Sequence, residues 1–81
     1  MHYTIDSIKA LDGYKLDATF SNGERRIYDM NNIFDKLPQL KAVEKDGLFN
    51  KVKVDAGGYG VIWNDDLALD CNEIYLNGIK K

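Results

Sequence analysis

The stretch from Tyr14 to Asp29, YKLDATFSNGERRIYD, decides the fold. In residues 14–20, Leu16, Ala18 and Phe20 alternate with Lys15, Asp17 and Thr19. That period of two belongs to a strand with one buried and one solvated face. Asn22-Gly23 follows, between two strand-like runs, and it is the strongest short hairpin signal because both residues tolerate positive φ. Arg25-Arg26-Ile27-Tyr28-Asp29 is then the returning strand. A two-residue turn would place Ala18 opposite Ile27, Thr19 opposite Arg26 and Asp17 opposite Tyr28.

Upstream, residues 3–10 read as a first strand ended by Asp12-Gly13. Downstream the period changes. Asn31 or Asn32 is expected to cap a short helix carrying Ile33, Phe34 and Leu37, broken at Pro38. Residues 40–45 form a second helical turn closed near Gly47, after which Leu48 and Phe49 return to the core. Val52 and Val54 alternate with Lys51, Lys53 and Asp55 as a half-buried strand. Gly57-Gly58-Tyr59-Gly60 turns the chain into Val61-Ile62-Trp63. Asn64-Asp65-Asp66 is loop chemistry. Asp70 and Glu73 have capping-box spacing for a last helix ending at Asn77-Gly78, and Lys80-Lys81 reads as a frayed tail. Hairpins dominate and no connection has the form of a βαβ crossover. The expected fold is α+β: one small domain over residues 1–81, with an antiparallel or mixed sheet of about five short strands and two or three short helices. Trp63, Phe49, Val52, Val54, Phe20, Ile27 and Leu16 are expected at the centre of its core.

Size and composition fit that reading. With 81 residues there is room for one domain, and 44% hydrophobic residues supply a core. No apolar run approaches the ~20 residues of a membrane span, and the N-terminus lacks a basic-then-apolar signal pattern. A single cysteine, Cys71, excludes an internal disulfide and suits the cytoplasm. The net charge is −2, with six acids and five bases in residues 1–40 and seven and six in residues 41–81. Neither half is basic, so the footprint of a phosphate-neutralising protein is missing. Arg25-Arg26 and Lys51/Lys53 are the small local exceptions.

Few residues could carry chemistry. His2 is the only histidine, and imidazole catalysis or metal binding needs a second group to hold the ring. Cys71 would lie in the first turn of the last helix, where the macrodipole favours a thiolate, but Asp70 and Glu73 oppose one. The Gly57-Gly58-Tyr59-Gly60 run lacks the Lys-Ser/Thr of a phosphate loop and lies between strands. Asp65, Asp66 and Asp70 lack the spacing of a calcium loop. No catalytic residue, metal site or cofactor is expected. Trp63 is either the anchor of the core or a partly exposed contact beside the acidic loop. Tyr59, Trp63, Asp65 and Asp66 are the candidate partner-binding residues.

Several segments, taken together, resemble the bacterial domain of unknown function (DUF) family 2442. They are Gly13-Tyr14-Lys15-Leu16, Phe20-Ser21-Asn22-Gly23-Glu24 with Tyr28-Asp29-Met30, and residues 49–55, 60–67 and 70–75. Where many relatives have Trp-Pro, this chain has Trp63-Asn64. The resemblance implies a small α+β domain of bacteria and phages without established catalytic residues. Some such relatives carry a helix-turn-helix segment beside the domain, for which these 81 residues leave no room. Others are encoded next to a second small protein in toxin–antitoxin-like pairs. A non-catalytic protein-interaction or regulatory module, antitoxin-like in kind, is therefore expected. A nucleic-acid-associated transcription regulator is the alternative, and a small enzyme the third reading. The expected partner is a protein, such as the adjacent gene's product. Nucleic acid is not expected for this domain alone, nor a membrane, and the chain should be a monomer or weak homodimer.

Overall fold

The computed structural model describes residues 3–81. Strands β1 (Ile5–Leu11), β2 (Lys15–Phe20) and β3 (Arg25–Asp29) form an antiparallel meander. A short helix, α1 (Asn31–Phe34), and two 3-10 turns, Pro38–Glu44 and Leu48–Lys51, follow. Then come β4 (Lys53–Val54), β5 (Gly60–Asn64), β6 (Leu67–Asp70), helix α2 (Cys71–Asn77) and β7 (Ile79–Lys80). The fold class is the expected α+β, with the strands divided between two sheets rather than one. The first has the order β1-β2-β3-β7 and the second β4-β5-β6. The backbone of Ile5 donates to the carbonyl of Gly58 at 2.8 Å and ties the edge of the first sheet to the turn before β5.

The β2–β3 hairpin forms, but its register is one residue away from the expected one. Ala18 lies opposite Arg26, Asp17 opposite Ile27 and Leu16 opposite Tyr28. The loop has three residues, Ser21-Asn22-Gly23: the Gly23 N–H donates to the Phe20 carbonyl at 2.9 Å, and the Phe20 N–H to Glu24 at 2.8 Å. Gly23 alone takes the left-handed conformation (φ 88°), as in three-residue hairpins. Asn22 acts through its side chain instead, its Oδ1 accepting the Glu24 N–H at 3.0 Å. A slip of one residue exchanges the faces of a strand. Tyr28 is therefore fully buried, and Ile27, expected in the core, is only half-buried on the outer face beside Ile79.

The core is one cluster. Leu16, Ala18, Phe20 and Tyr28 of the first sheet meet Val61, Trp63, Leu67 and Leu69 of the second, closed by Leu40, Val43, Phe49 and Ile74. Val52 and Val54 pack against its edge, half-buried. Three local expectations change. The first turn of α1 is held by Asp29, whose Oδ1 accepts the Asn31 N–H at 2.9 Å, rather than by an asparagine cap. Pro38 opens a 3-10 turn as its first residue, where the missing N–H costs nothing. Lys80, read as part of a frayed tail, pairs with β3 together with Ile79.

Candidate functional site

The four candidate partner-binding residues do not share a surface. Trp63 is 5% exposed, stacks on Phe49 with centroids 6.3 Å apart, and donates its indole N–H to the Phe49 carbonyl at 3.2 Å. It occupies a β-bulge, since Ile62 pairs with Ala68 and Asn64 with Leu67. The extra residue re-aims a strand at such a point. Asp65 and Asp66 are exposed at the β5–β6 turn, whose shape is set by Asn64: its Oδ1 accepts the N–H groups of Asp66 (2.9 Å) and Leu67 (3.0 Å). Tyr59 is 64% exposed, but it precedes β5, about 20 Å from the acidic turn at strand rise. His2 lies outside the described residues.

The basic pair is engaged inside the fold. Arg25 and Arg26 point to opposite faces of β3. Arg25 Nη2 meets Asp17 Oδ2 at 2.6 Å, the diagonal neighbour across an antiparallel pair. Arg26 Nη2 donates to Glu24 Oε1 at 2.7 Å, and its guanidinium lies 4.2 Å from the ring centre of Tyr75. Glu24 also accepts the Tyr75 hydroxyl at 2.9 Å. That hydroxyl, and then Arg26, hold its carboxyl below the usual range. Ion pairs at a solvated surface stabilise a fold little, but these two leave both guanidinium groups already matched by carboxylates.

Two buried groups are structural in geometry. Cys71 opens α2 with its thiol pushed up, first by burial and then by the charge of Asp70, which opposes thiolate chemistry. Asp70 caps the helix as expected, accepting the Asn72 N–H at 2.8 Å. Glu73 reaches across instead to accept the Tyr28 hydroxyl at 2.8 Å. Burial, then this contact, raises the Tyr28 pKa far above its ordinary 10. A raised tyrosine pKa means that the unfolded chain loses its proton first. The stability held below pH ~10 is therefore lost as pH rises beyond it. Tyr28→Phe is expected to cost about 1–3 kcal/mol near neutrality and to flatten this alkaline loss. Urea melts at neutral pH and above pH ~10 check both effects; equal alkaline slopes for variant and wild type would exclude Tyr28 as the cause.

The site that sequence reasoning missed is a cleft of about 270 Å³ between the β1–β2 turn (residues 11–14) and residues 43–50. Tyr14 and Phe49 form its aromatic part, in edge-on contact at 5.3 Å, and Val43 lines it beside them. Asp12, Glu44 and Asn50 supply its polar groups. Neither carboxylate has an ion-pair or hydrogen-bond partner among the described residues. No Lys, Arg, His or Cys lines the cleft. Tyr14 holds a left-handed backbone (φ 61°), as does Asp46 (φ 55°) next to the lining residue Gly47. These are the two non-glycine residues with positive φ among those described. Such conformations persist only where the surroundings impose them. At Tyr14 the packing on Phe34 and Phe49 does so. The signal available in the sequence was Gly13-Tyr14, but nothing linked it to residues 43–50. No group of three or more His, Cys, Asp or Glu side chains is placed to hold a metal ion among the described residues. None of the described helices is long and apolar enough to cross a membrane.

The model of the family described as protein of unknown function, DUF2442, matches residues 5–80. The chain belongs to the DUF2442 family. Among solved structures, this DUF2442 chain is similar to a crystal structure described as a "putative DNA binding protein" from Nitrosomonas europaea. The TM-score is 0.76 at 24% identity, and the match covers 95% of this chain and 49% of that one. At that identity the likeness is one of fold, and the DUF2442 chain spans about half the length of its neighbour. No curated protein matches it.

Proposed function

We propose that this DUF2442 domain is a non-catalytic protein-interaction module with a regulatory role, antitoxin-like in kind, acting in the cytoplasm. The observation that carries this reading is the cleft. At about 270 Å³ it falls below the roughly 300–1,000 Å³ of small-molecule and cofactor sites. Its lining offers no nucleophile–base pair. An aromatic wall with a polar rim is instead the make-up of a pocket that takes a partner's side chain. The engagement of Arg25 by Asp17 and of Arg26 by Glu24 also weakens the basic patch that a phosphate-binding role would use.

The second reading, a nucleic-acid-associated regulator, is favoured by the description of the structural neighbour as a DNA binding protein. The two readings separate in one experiment. The purified domain is mixed with the adjacent gene's product and with a short DNA duplex across a salt series. A protein complex, with no duplex binding that falls steeply with salt, is expected. Duplex binding with a steep salt dependence and no protein complex would overturn the interaction-module reading.

A further inference from the structure

The Asp12–Glu44 cleft has a chemistry specific enough to name what it receives, and the inference rests on the interaction-module reading above. Its volume of about 270 Å³ holds one long side chain, not a nucleotide. Its charge is uncompensated: Asp12 and Glu44 are exposed, lack partners among the described residues, and share the lining with no cation. A phosphate or carboxylate ligand would meet only like charge there. A metal ion would find two carboxylates where a hard cation takes six or more oxygens. The half-buried ring of Tyr14, held against Phe49 at 5.3 Å, lines the same cleft as the two acids. Aromatic surface rimmed by carboxylates suits a flat cation on an apolar stem.

We propose that this cleft receives a single arginine side chain of a protein partner. The guanidinium bonds to the carboxylates of Asp12 and Glu44, the amide oxygen of Asn50 is a third acceptor, and the methylene stem packs on Tyr14. The same fold already uses this arrangement internally, where the Arg26 guanidinium meets the ring of Tyr75 and the carboxylate of Glu24. The chain's own two arginines are taken by Asp17 and Glu24, so the cleft is left to an arginine supplied from outside.

The probe is a short blocked peptide with one arginine flanked by glycines, titrated into the whole domain while amide chemical shifts are followed. Its partner probe carries citrulline, which keeps shape and removes charge. Saturable shifts at Gly13, Tyr14, Gly47 and Asn50, with a dissociation constant on the order of 1 mM for so small a ligand, are expected from arginine and not from citrulline. Asp12→Asn combined with Glu44→Gln should weaken binding at least about tenfold and leave the thermal melt unchanged, since neither side chain supports the fold. No shift at the cleft, equal shifts from citrulline, or undiminished binding by the double variant would overturn the proposal. In each of those cases, a complex with the adjacent gene's product would still stand for the interaction-module reading. A steeply salt-dependent duplex complex in its place would remove that reading as well.

Discussion

Trp63→Ala is expected to lower the stability of the domain by about 3–5 kcal/mol, with a fall in melting temperature to match. A domain of 81 residues is held by about 4–12 kcal/mol in all, so this is a large share of what keeps it folded. The size of the effect follows from position. The indole stacks on Phe49, its N–H closes on the Phe49 carbonyl, and it belongs to the single buried core cluster. Removing it leaves a cavity and takes one of two hydrogen bonds from the Phe49 carbonyl, which keeps that of the Val52 N–H at 3.3 Å. Trp63→Phe should fall between, keeping most of the volume and losing the hydrogen bond. Because Trp63 itself does not line the Asp12–Glu44 cleft, the alanine variant should lose arginine binding in proportion to its unfolded fraction. A normal melt for Trp63→Ala, with partner binding lost, would instead make the residue a contact surface.

Which features the sequence disclosed depends on how far each was decided locally. The alternation of Leu16, Ala18 and Phe20 was legible because a half-buried strand repeats every two residues, and all three are fully buried. The register across the hairpin was not legible. Asn22-Gly23 fits a two-residue turn, yet the three-residue loop brings Tyr28 inward to Glu73 and Arg26 onto Tyr75. Those contacts join residues far apart in sequence. Strand β6 escaped because its Leu-Ala-Leu carries no β-branched residue and is only marked as strand by its pairing with β5. The two residues of β7 have no pattern at all; they form a strand because β3 offers an edge. The cleft was hidden for a further reason. It joins a turn at residues 11–14 to irregular chain at residues 43–50, and neither segment has a motif. Asp65 and Asp66 form a run of like charge, which is visible in sequence. Asp12 and Glu44 become a pair only in space.

Gly58→Ala is expected to cost about 2–4 kcal/mol, well above the ~1 kcal/mol of the same change at Gly23. Both glycines have left-handed backbones, φ 77° and 88°, so the conformational penalty is shared. The difference is space. A methyl on Gly23 would meet nothing within 4 Å, whereas one on Gly58 would lie 2.7 Å from the Ile5 carbonyl oxygen and 3.1 Å from Thr4 Cβ. Backbone cannot yield there cheaply, because the Gly58 carbonyl accepts the Ile5 N–H that joins the two sheets. Relief of the clash would pull that bond apart and separate β1 from the β4–β5 turn. The glycine run 57–60 is thus a place of close chain approach, not a phosphate cradle. Asp55 fixes its shape by accepting the N–H groups of Tyr59 (2.9 Å) and Gly60 (3.3 Å) on one carboxylate oxygen. Urea melts of the two alanine variants give the comparison directly, with equal slopes showing that compactness is unchanged. Equal losses at the two positions would mean that the sheets are not held together at Gly58, and that positive φ alone accounts for both glycines.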